Sequence, residues 1–426
     1  MKQLIILYIL FFTSLLSLFV SKDEKNTYRK LILSLLLVFI IINVNIKINL
    51  WNDKFVYINI LLLILLILNL LIKRDKRVIN IKSIILFLNI INIIYLLQMI
   101  FIRIYDLNLF AYSFSTNLII LLIIIIFYKF QGRFNKDFII KSIAIIAFIN
   151  FILGLLQYKT GKMLIYGSLA GDIYYTEGIS IVKRIVGFVG ASNGAGNLGA
   201  ILFPVVLYKF NNKRNLLNLI YIFAVLIFTI MTLTRIAYVA IIIEFLIYFI
   251  MNNNKKDMGH KVLFICAFFI SSIIIYNIYF NNIYNILFAE RGNTESVRIE
   301  QFLRVYKLFL QYPFLGVGAG QYTYFILDIF SIKDTEIHSQ ILNTFVECGF
   351  LGGFAYLIFN IRLMIMAIKS SPRVELWFVL SLFTGNFIVS NFNPNQYYAI
   401  DIFIYYFILC GIIFAARGEH EKTFDN

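Results

Sequence analysis

Towards the end of a long loop between apolar runs the chain reads DTEIHSQ, which places Asp334, Glu336 and His338 at alternate positions. Carboxylate and imidazole groups at that spacing could ligate a divalent ion in an extended segment, whereas in a helix the i, i+2 and i+4 side chains do not share one face. The histidine could instead act as a general base oriented by a carboxylate, because imidazole takes up a proton near neutrality. A third reading makes it a polar residue capping the apolar run that follows. The second set is of arginines: Arg184, Arg235, Arg291, Arg298 and Arg304. A planar guanidinium grips phosphate oxygens bidentately and keeps its charge. Several arginines with one histidine therefore suit transfer from a pyrophosphate-activated donor, the arginines stabilising the departing pyrophosphate while the histidine deprotonates an acceptor hydroxyl. The stretch GVGAGQY, with Gly318 and Gly320, follows no strand of a βαβ unit. It is weak evidence for phosphate binding, and a turn returning the chain to its apolar part explains it equally.

The elements that must position these residues are apolar. Of 426 residues 61% are hydrophobic and 14% charged, with a mean hydropathy of +0.85, more apolar surface than one soluble core can hide. The expected fold is all-α and polytopic, with roughly twelve to thirteen membrane spans and an external helical loop domain. Candidate spans lie near 3–20, 31–50, 55–72, 83–104, 108–127, 138–156, 188–208, 216–233, 236–251, 262–280, 340–361, 375–391 and 398–416. The first reads as uncleaved, since no small-residue site follows it. Cys266, Cys348 and Cys410 are odd in number, lie in or beside apolar runs and lack ligand spacing, which argues for packing rather than a disulfide framework or zinc.

A formal charge of +16 would suggest nucleic acid in a soluble protein. Here lysine and arginine collect in alternate loops, around residues 22–30, 73–77, 129–141, 209–214, 255–261 and 369–373, which the positive-inside rule makes cytoplasmic together with the tail 417–426. An odd span count then leaves the N-terminus outside. The outward loops 157–185 and 281–337 break the rule. They carry Lys159, Lys162, Lys183 and Arg184 in one, and Arg291, Arg298, Arg304 and Lys307 in the other, while Arg235 lies in the outward turn TLTRIAY. Basic groups on that face suggest an anionic ligand; the alternative is anchoring to lipid headgroups. His260 and His420 fall inside, so His338 is the external histidine. Within the second loop, SVRIEQFLRVYKLFLQYP reads as an amphipathic helix lying on the membrane surface. Nucleotide sugars are cytoplasmic, and no DxD pair faces outward to hold their metal, so a lipid-linked donor fits this site better.

Four segments together resemble the O-antigen ligase and polymerase family of bacterial membrane glycosyltransferases. RIVGFVGASNGAGNLGAILFP is similar to the family's G-x-F-x-x-P-N-x-x-A-x-x-L stretch, with Arg184, Gly187, Asn193 and Pro204 in register; Ser192 stands where proline is usual and Gly196 where alanine is. TLTRIAYVA resembles its S/T-R-x-A/G turn and supplies Arg235. VRIEQFLRVYKLFLQYPFLGVGAGQY supplies Arg298, Phe302, Pro313, Gly316, Gly318 and Gly320. HSQILNTFVECGFLGG resembles H-N-x-x-L-x-x-x-x-E-x-G-x-x-G, with Ser339 in place of asparagine.

The resemblance covers about Arg184 to Gly353 and implies metal-independent transfer of glycan, without a cofactor, from undecaprenyl pyrophosphate on the outer face of the inner membrane. It implies that Arg235 and Arg298 hold the pyrophosphate and that His338 activates the acceptor. Arg184, Arg291, Arg304, Asn193, Gly318 and Gly320 are expected at the substrate. Glu347, about two and a half turns beyond His338, is assigned to packing or glycine-turn support. The expected organisation is a divergent bundle over 1–156, an external loop over 157–185, core spans over 186–280, the large external loop over 281–337, closing spans over 338–416 and the tail 417–426. The acceptor is a lipid-linked glycan for a polymerase, lipid A core for a ligase, or a protein for an O-linked oligosaccharyltransferase; other polysaccharide-assembly proteins are possible partners. The residues lean slightly to polymerase, since nothing announces a protein acceptor. Two other classes compete: a transporter of lipid-linked oligosaccharide, which would place cationic groups within spans and show inverted repeats, and a non-catalytic scaffold. No internal repeat is visible, and Glu244 is the clear intramembrane charge.

Overall fold

The computed structural model describes residues 47–51, 54–57, 81–132, 135–165, 169–177, 180–252, 294–332, 336–393, 396 and 398–415. The expected spans at 3–20 and 262–280, most of those at 31–50 and 55–72, and also His260, His420, Cys266, Arg291 and Asp334 lie outside these residues. The chain is an all-α polytopic membrane protein. Its helices are α1 (Lys82–Phe101), α2 (Leu107–Lys129), α3 (Lys136–Thr160), α4 (Ser192–Asn212), α5 (Leu216–Met231), α6 (Arg235–Met251), α7 (Thr294–Gln311), α8 (Tyr322–Phe330), α9 (Gln340–Ser370), α10 (Leu376–Phe392) and α11 (Ala399–Phe414). Nine of these fall on expected spans, from α1 on 83–104 to α11 on 398–416. Two antiparallel hairpins accompany them: β1 (Lys47–Trp51) with β2 (Lys54–Tyr57), and β3 (Tyr174–Glu177) with β4 (Ser180–Lys183). The first corrects the expected helical ends at 50 and 55, because KINLW alternates polar and apolar residues with the period of a strand.

Helix α11 is buried along its whole length and α4 along most of its own. An element that is apolar all round belongs inside a bundle. Helix α9 lies along α1, α10 along α6, and α4 packs on α5, α6 and α10. The outward faces are apolar too, as Ile93, Ile100, Ile149, Phe223 and Ile250 show. Such faces suit hydrocarbon rather than water. Among the described residues five helices, α1, α2, α3, α9 and α10 with its preceding turn, have the length and composition to cross a membrane. Polar pairs tie helices together within the bundle: Asn117 Nδ2 donates to Asn92 Oδ1 (2.8 Å), Tyr406 OH to Asn360 Oδ1 (3.0 Å), and Asn393 Nδ2 to Asn197 Oδ1 (2.6 Å). Glu244 is fully buried against Gly385, where no Cβ would fit. Asp401 in α11 is equally buried, an intramembrane carboxyl that hydropathy passes over because its neighbours are so apolar. At the end of the bundle rich in basic residues, Lys136 pairs with Glu375, which also accepts from Tyr208 OH (2.6 Å).

The opposite end gathers the α1–α2 turn, β3–β4, the α5–α6 turn, α7, α8 and the start of α9. Here a glycine-rich loop is sewn to a kink in α9. Gly349 (φ 67°) breaks the helix and frees the carbonyls of Val346 and Glu347. These accept from Val317 N (2.9 Å) and Gly318 N (3.2 Å), while Phe350 N donates to Pro313 O (2.6 Å). The fully buried Gln98 of α1 completes the seam, Nε2 donating to Leu315 O and Glu347 O (both 2.6 Å) and Oε1 accepting from Ala319 N (3.0 Å). Gln321 does the same for the α1–α2 turn, its Oε1 accepting from Tyr105 N and Asp106 N (both 2.8 Å). Above the seam, Tyr105 OH and Arg103 both donate to Asp328; partial burial first, and then that carboxylate, raises the Tyr105 phenol above its ordinary range. Gly349 combines positive φ with so close an approach that a Cβ added there would lie 2.3 Å from Phe314 O. Gly349→Ala should therefore cost about 2 kcal/mol or more, read as a fall in the thermal midpoint of the protein in detergent; an unchanged midpoint would contradict the seam's role.

Candidate active site

Two structural units meet at this end. The first is built around the chain leaving β4. Gln157, fully buried at the end of α3, accepts at Oε1 from Val186 N (3.1 Å) and Gly187 N (2.8 Å) and donates through Nε2 to Met163 O (2.5 Å) and Gly187 O (3.0 Å). Asn150 Oδ1 accepts from Phe188 N (2.8 Å). With that stretch fixed, Arg184 points inward and is only 5% exposed. Its Nε donates to Thr232 O (2.9 Å), and its Nη2 to Asn193 Oδ1 (2.9 Å) and Thr234 Oγ1 (3.4 Å). The guanidinium also lies 5.2 Å from the Tyr175 ring centroid. Thr234 Oγ1 in turn donates to Ser192 O (2.9 Å). The turn so held ends at Arg235, the half-buried first residue of α6. Gly196 permits the close approach, since a Cβ there would sit 2.4 Å from Thr234 Cβ.

The second unit is the start of α9. His338 is half-buried just before the cap, and its backbone N–H donates to Gln301 Oε1 (3.3 Å). Gln301 Nε2 donates to Glu336 O (3.2 Å), so one amide of α7 fixes the chain on both sides of Ile337. Gln396 Nε2 donates to Ile337 O (2.9 Å) from the other side. Ser339 is the N-cap: its Oγ accepts from Leu342 N (3.3 Å) and donates to Asn391 Oδ1 (2.8 Å). Beside the histidine is a cavity of about 170 Å³ lined by Gln301, Phe302, Val305, His338, Leu342 and Phe392 among others. Arg298 sits in α7, one turn before Gln301. Val305 and Leu308 of α7 pack with Val317, Phe325, Ile337 and Val346 in a small core of their own, which seats α7 over α9.

Tyr398 joins the two units. It packs on Gly194, at the start of α4, and lies within electrostatic reach of Glu336, Tyr175 and Arg184. The segment that carries it, NFNPNQYY, also supplies Asn391 and Gln396. Sequence reasoning passes over it, although a proline amid polar residues between two apolar runs marks a built loop.

His338, Arg235 and the backbone of Arg298 thus share one end of the bundle. Arg184 and Asn193 bond each other there, with Arg184 turned into the protein. Arg304 is half-buried with Nη1 4.0 Å from Glu300 Oε2. Gly318 and Gly320, expected at the substrate, are buried in the seam, where a Cβ on Gly318 would lie 3.0 Å from Gln321 Cγ and one on Gly320 2.9 Å from the backbone of Leu109 in α2. Glu347 belongs to the same seam, its Oε2 accepting from Asn343 Nδ2 (2.9 Å). Among the described residues no group of three His, Cys, Asp or Glu side chains is arranged to hold a metal.

Residues 185–357 match the family model described as O-antigen ligase. The chain is also similar to the ComP-specific O-oligosaccharyltransferase of Acinetobacter baylyi (strain ATCC 33305 / BD413 / ADP1), 24% identical over 329 residues. That similarity covers 69% of this chain, which spans about 59% of the length of the relative.

The cap explains how serine serves at position 339. Serine and asparagine are equally good N-caps, so Ser339→Asn should leave the thermal midpoint nearly unchanged, whereas Ser339→Ala should cost about 1 kcal/mol. Equal losses in the two variants would show that the capping bond is not what the position supplies.

Proposed function

We propose that this chain, whose residues 185–357 match the O-antigen ligase family, is an inner-membrane glycosyltransferase acting at the outer face. It moves a glycan from undecaprenyl pyrophosphate to a sugar hydroxyl, as a polymerase extending a lipid-linked chain or as a ligase to lipid A core, with no metal required. The observation that carries the reading is the gathering of the Arg235 turn, the Arg298 helix and His338 at one end of the bundle, inside the family-matched segment. The basic residues of the opposite end, Lys129, Lys136, Lys209, Lys213 and Lys369, support an outward site by the positive-inside rule. In the reaction the acceptor hydroxyl gives its proton to His338 while its oxygen bonds to the anomeric carbon. The bond from that carbon to the pyrophosphate oxygen breaks, and the pyrophosphate-bearing lipid departs with its charge held by Arg235 and Arg298. Arg304 and Arg291 are further candidates for contact with the donor. A second reading, O-linked transfer to protein, is favoured by the activity named for the Acinetobacter relative.

The test is to incubate purified protein with labelled undecaprenyl-pyrophosphate oligosaccharide in EDTA, with His338→Ala and Arg235→Ala beside the wild type. A ladder of longer lipid-linked chains is expected of a polymerase, transfer only with added lipid A core of a ligase, and transfer only with a protein acceptor of the second reading. Each variant should lose at least about 100-fold in rate. Folded wild type that forms no bond with any acceptor would overturn the transferase reading in favour of transport.

A further inference from the structure

A basic residue on the outward side, Arg184 is expected from the sequence to touch the substrate. Its geometry suits another role. The side chain is 5% exposed, and Nε and Nη2 donate to three protein oxygens on two other elements. The α5–α6 turn is held at Thr232 O and Thr234 Oγ1, and the start of α4 at Asn193 Oδ1. The turn also needs holding for local reasons: Leu233 has φ 53°, a left-handed conformation that a branched side chain adopts only where the surroundings impose it. Arg235 follows at once. We propose that Arg184 is a positioning residue, a clamp that fixes the 232–234 turn and thereby aims Arg235, and that it makes no contact of its own with the donor.

The clamp spans three segments that have no covalent reason to stay in register. The backbone of Ile185 reinforces it, donating from N to Met231 O (3.2 Å), and the Arg184 amide donates to Ile173 O (3.0 Å), tying the clamp to the strand hairpin. A planar guanidinium can reach a carbonyl, a hydroxyl and an amide oxygen at once, whereas a lysine ammonium on a flexible stem cannot hold the same fork. The role therefore demands arginine for its shape as much as for its charge.

The inference rests on the proposed function for its kinetic consequence, though not for the clamp itself. The experiment uses the full chain in detergent or nanodiscs, with Arg184→Gln, the milder Arg184→Lys, Arg235→Ala and the double variant Arg184→Gln/Arg235→Ala. Backbone hydrogen exchange over residues 231–236 should quicken in Arg184→Gln while the rest of the bundle keeps its protection. Transfer by Arg184→Gln should fall about 10- to 100-fold, with Arg184→Lys losing less. For variants without measurable turnover, binding of undecaprenyl pyrophosphate is read instead. The double variant should be no worse than Arg235→Ala alone, because a residue acting through Arg235 has nothing left to position. Losses that multiply would overturn the proposal and make Arg184 an independent contact. Unchanged exchange at 231–236 would overturn it whatever the kinetics. If wild type transfers nothing, the functional reading falls, and the exchange measurement still decides the clamp.

Discussion

The buried non-helical backbone described at the end of the bundle that holds His338 and the Arg235 turn answers to one constraint: main-chain groups shielded from water must find hydrogen-bond partners within the protein. The protein meets it with amide side chains at the ends of its helices. Gln98, Gln157 and Gln321 are all fully buried, and each both donates and accepts against main-chain groups of a loop. A primary amide suits this work, since it offers donor and acceptor at one place with no charge to desolvate. These glutamines let irregular chain be buried at the end of the bundle where the Arg235 turn, α7 and His338 lie.

The seam between the glycine loop and α9 shows how this couples elements. Helix α9 carries His338 just before its first turn and is broken at Gly349, and the carbonyls freed by the break are taken up by the loop that follows α7. The helix that bears the histidine and the helix that bears Arg298 are thus joined twice, once through the seam and once through Gln301. On the other unit, Arg184 joins α4 to the Arg235 turn. In both, a segment bearing a candidate site residue is held by a polar side chain from another element, which fixes geometry better than apolar contacts that can slide.

Much of this is legible in the sequence, and for a physical reason. Hydropathy reports burial in hydrocarbon directly, so the spans behind α1 to α6, α10 and α11 stand out to within a few residues, α9 runs on to Ser370 past the expected end at 361, and basic residues mark the opposite end. The amphipathic period of α7 is equally plain. Side-chain direction is not. Arg184 and Arg235 look alike in a sequence, yet one is packed inward against Thr232, Asn193 and Thr234 while the other begins a helix. The glycine pattern is ambiguous for a related cause: a GxGxG stretch states only that backbone comes close to something, and here Gly316 abuts α9, Gly318 the Gln321 side chain and Gly320 Leu109 of α2. Gln98, Gln157 and Tyr398 are invisible because a single amide or phenol in an apolar run carries no periodicity.

The departures from the family pattern can be argued the same way. Ser192 is the first residue of α4, the position where a proline's missing N–H is harmless and its fixed φ is favourable. Serine forgoes that rigidity; the backbone carbonyl of residue 192, which either residue would offer, accepts from Thr234 Oγ1. Gly196, standing for alanine, faces that same Thr234, and any Cβ would drive it away. Gly196, rather than Ser192, is therefore the departure that bears on this contact: an alanine there could not let the start of α4 lie so close to the α5–α6 turn. The turn so approached is the one that leads directly into Arg235 at the start of α6, so the missing Cβ at position 196 bears on where that arginine sits.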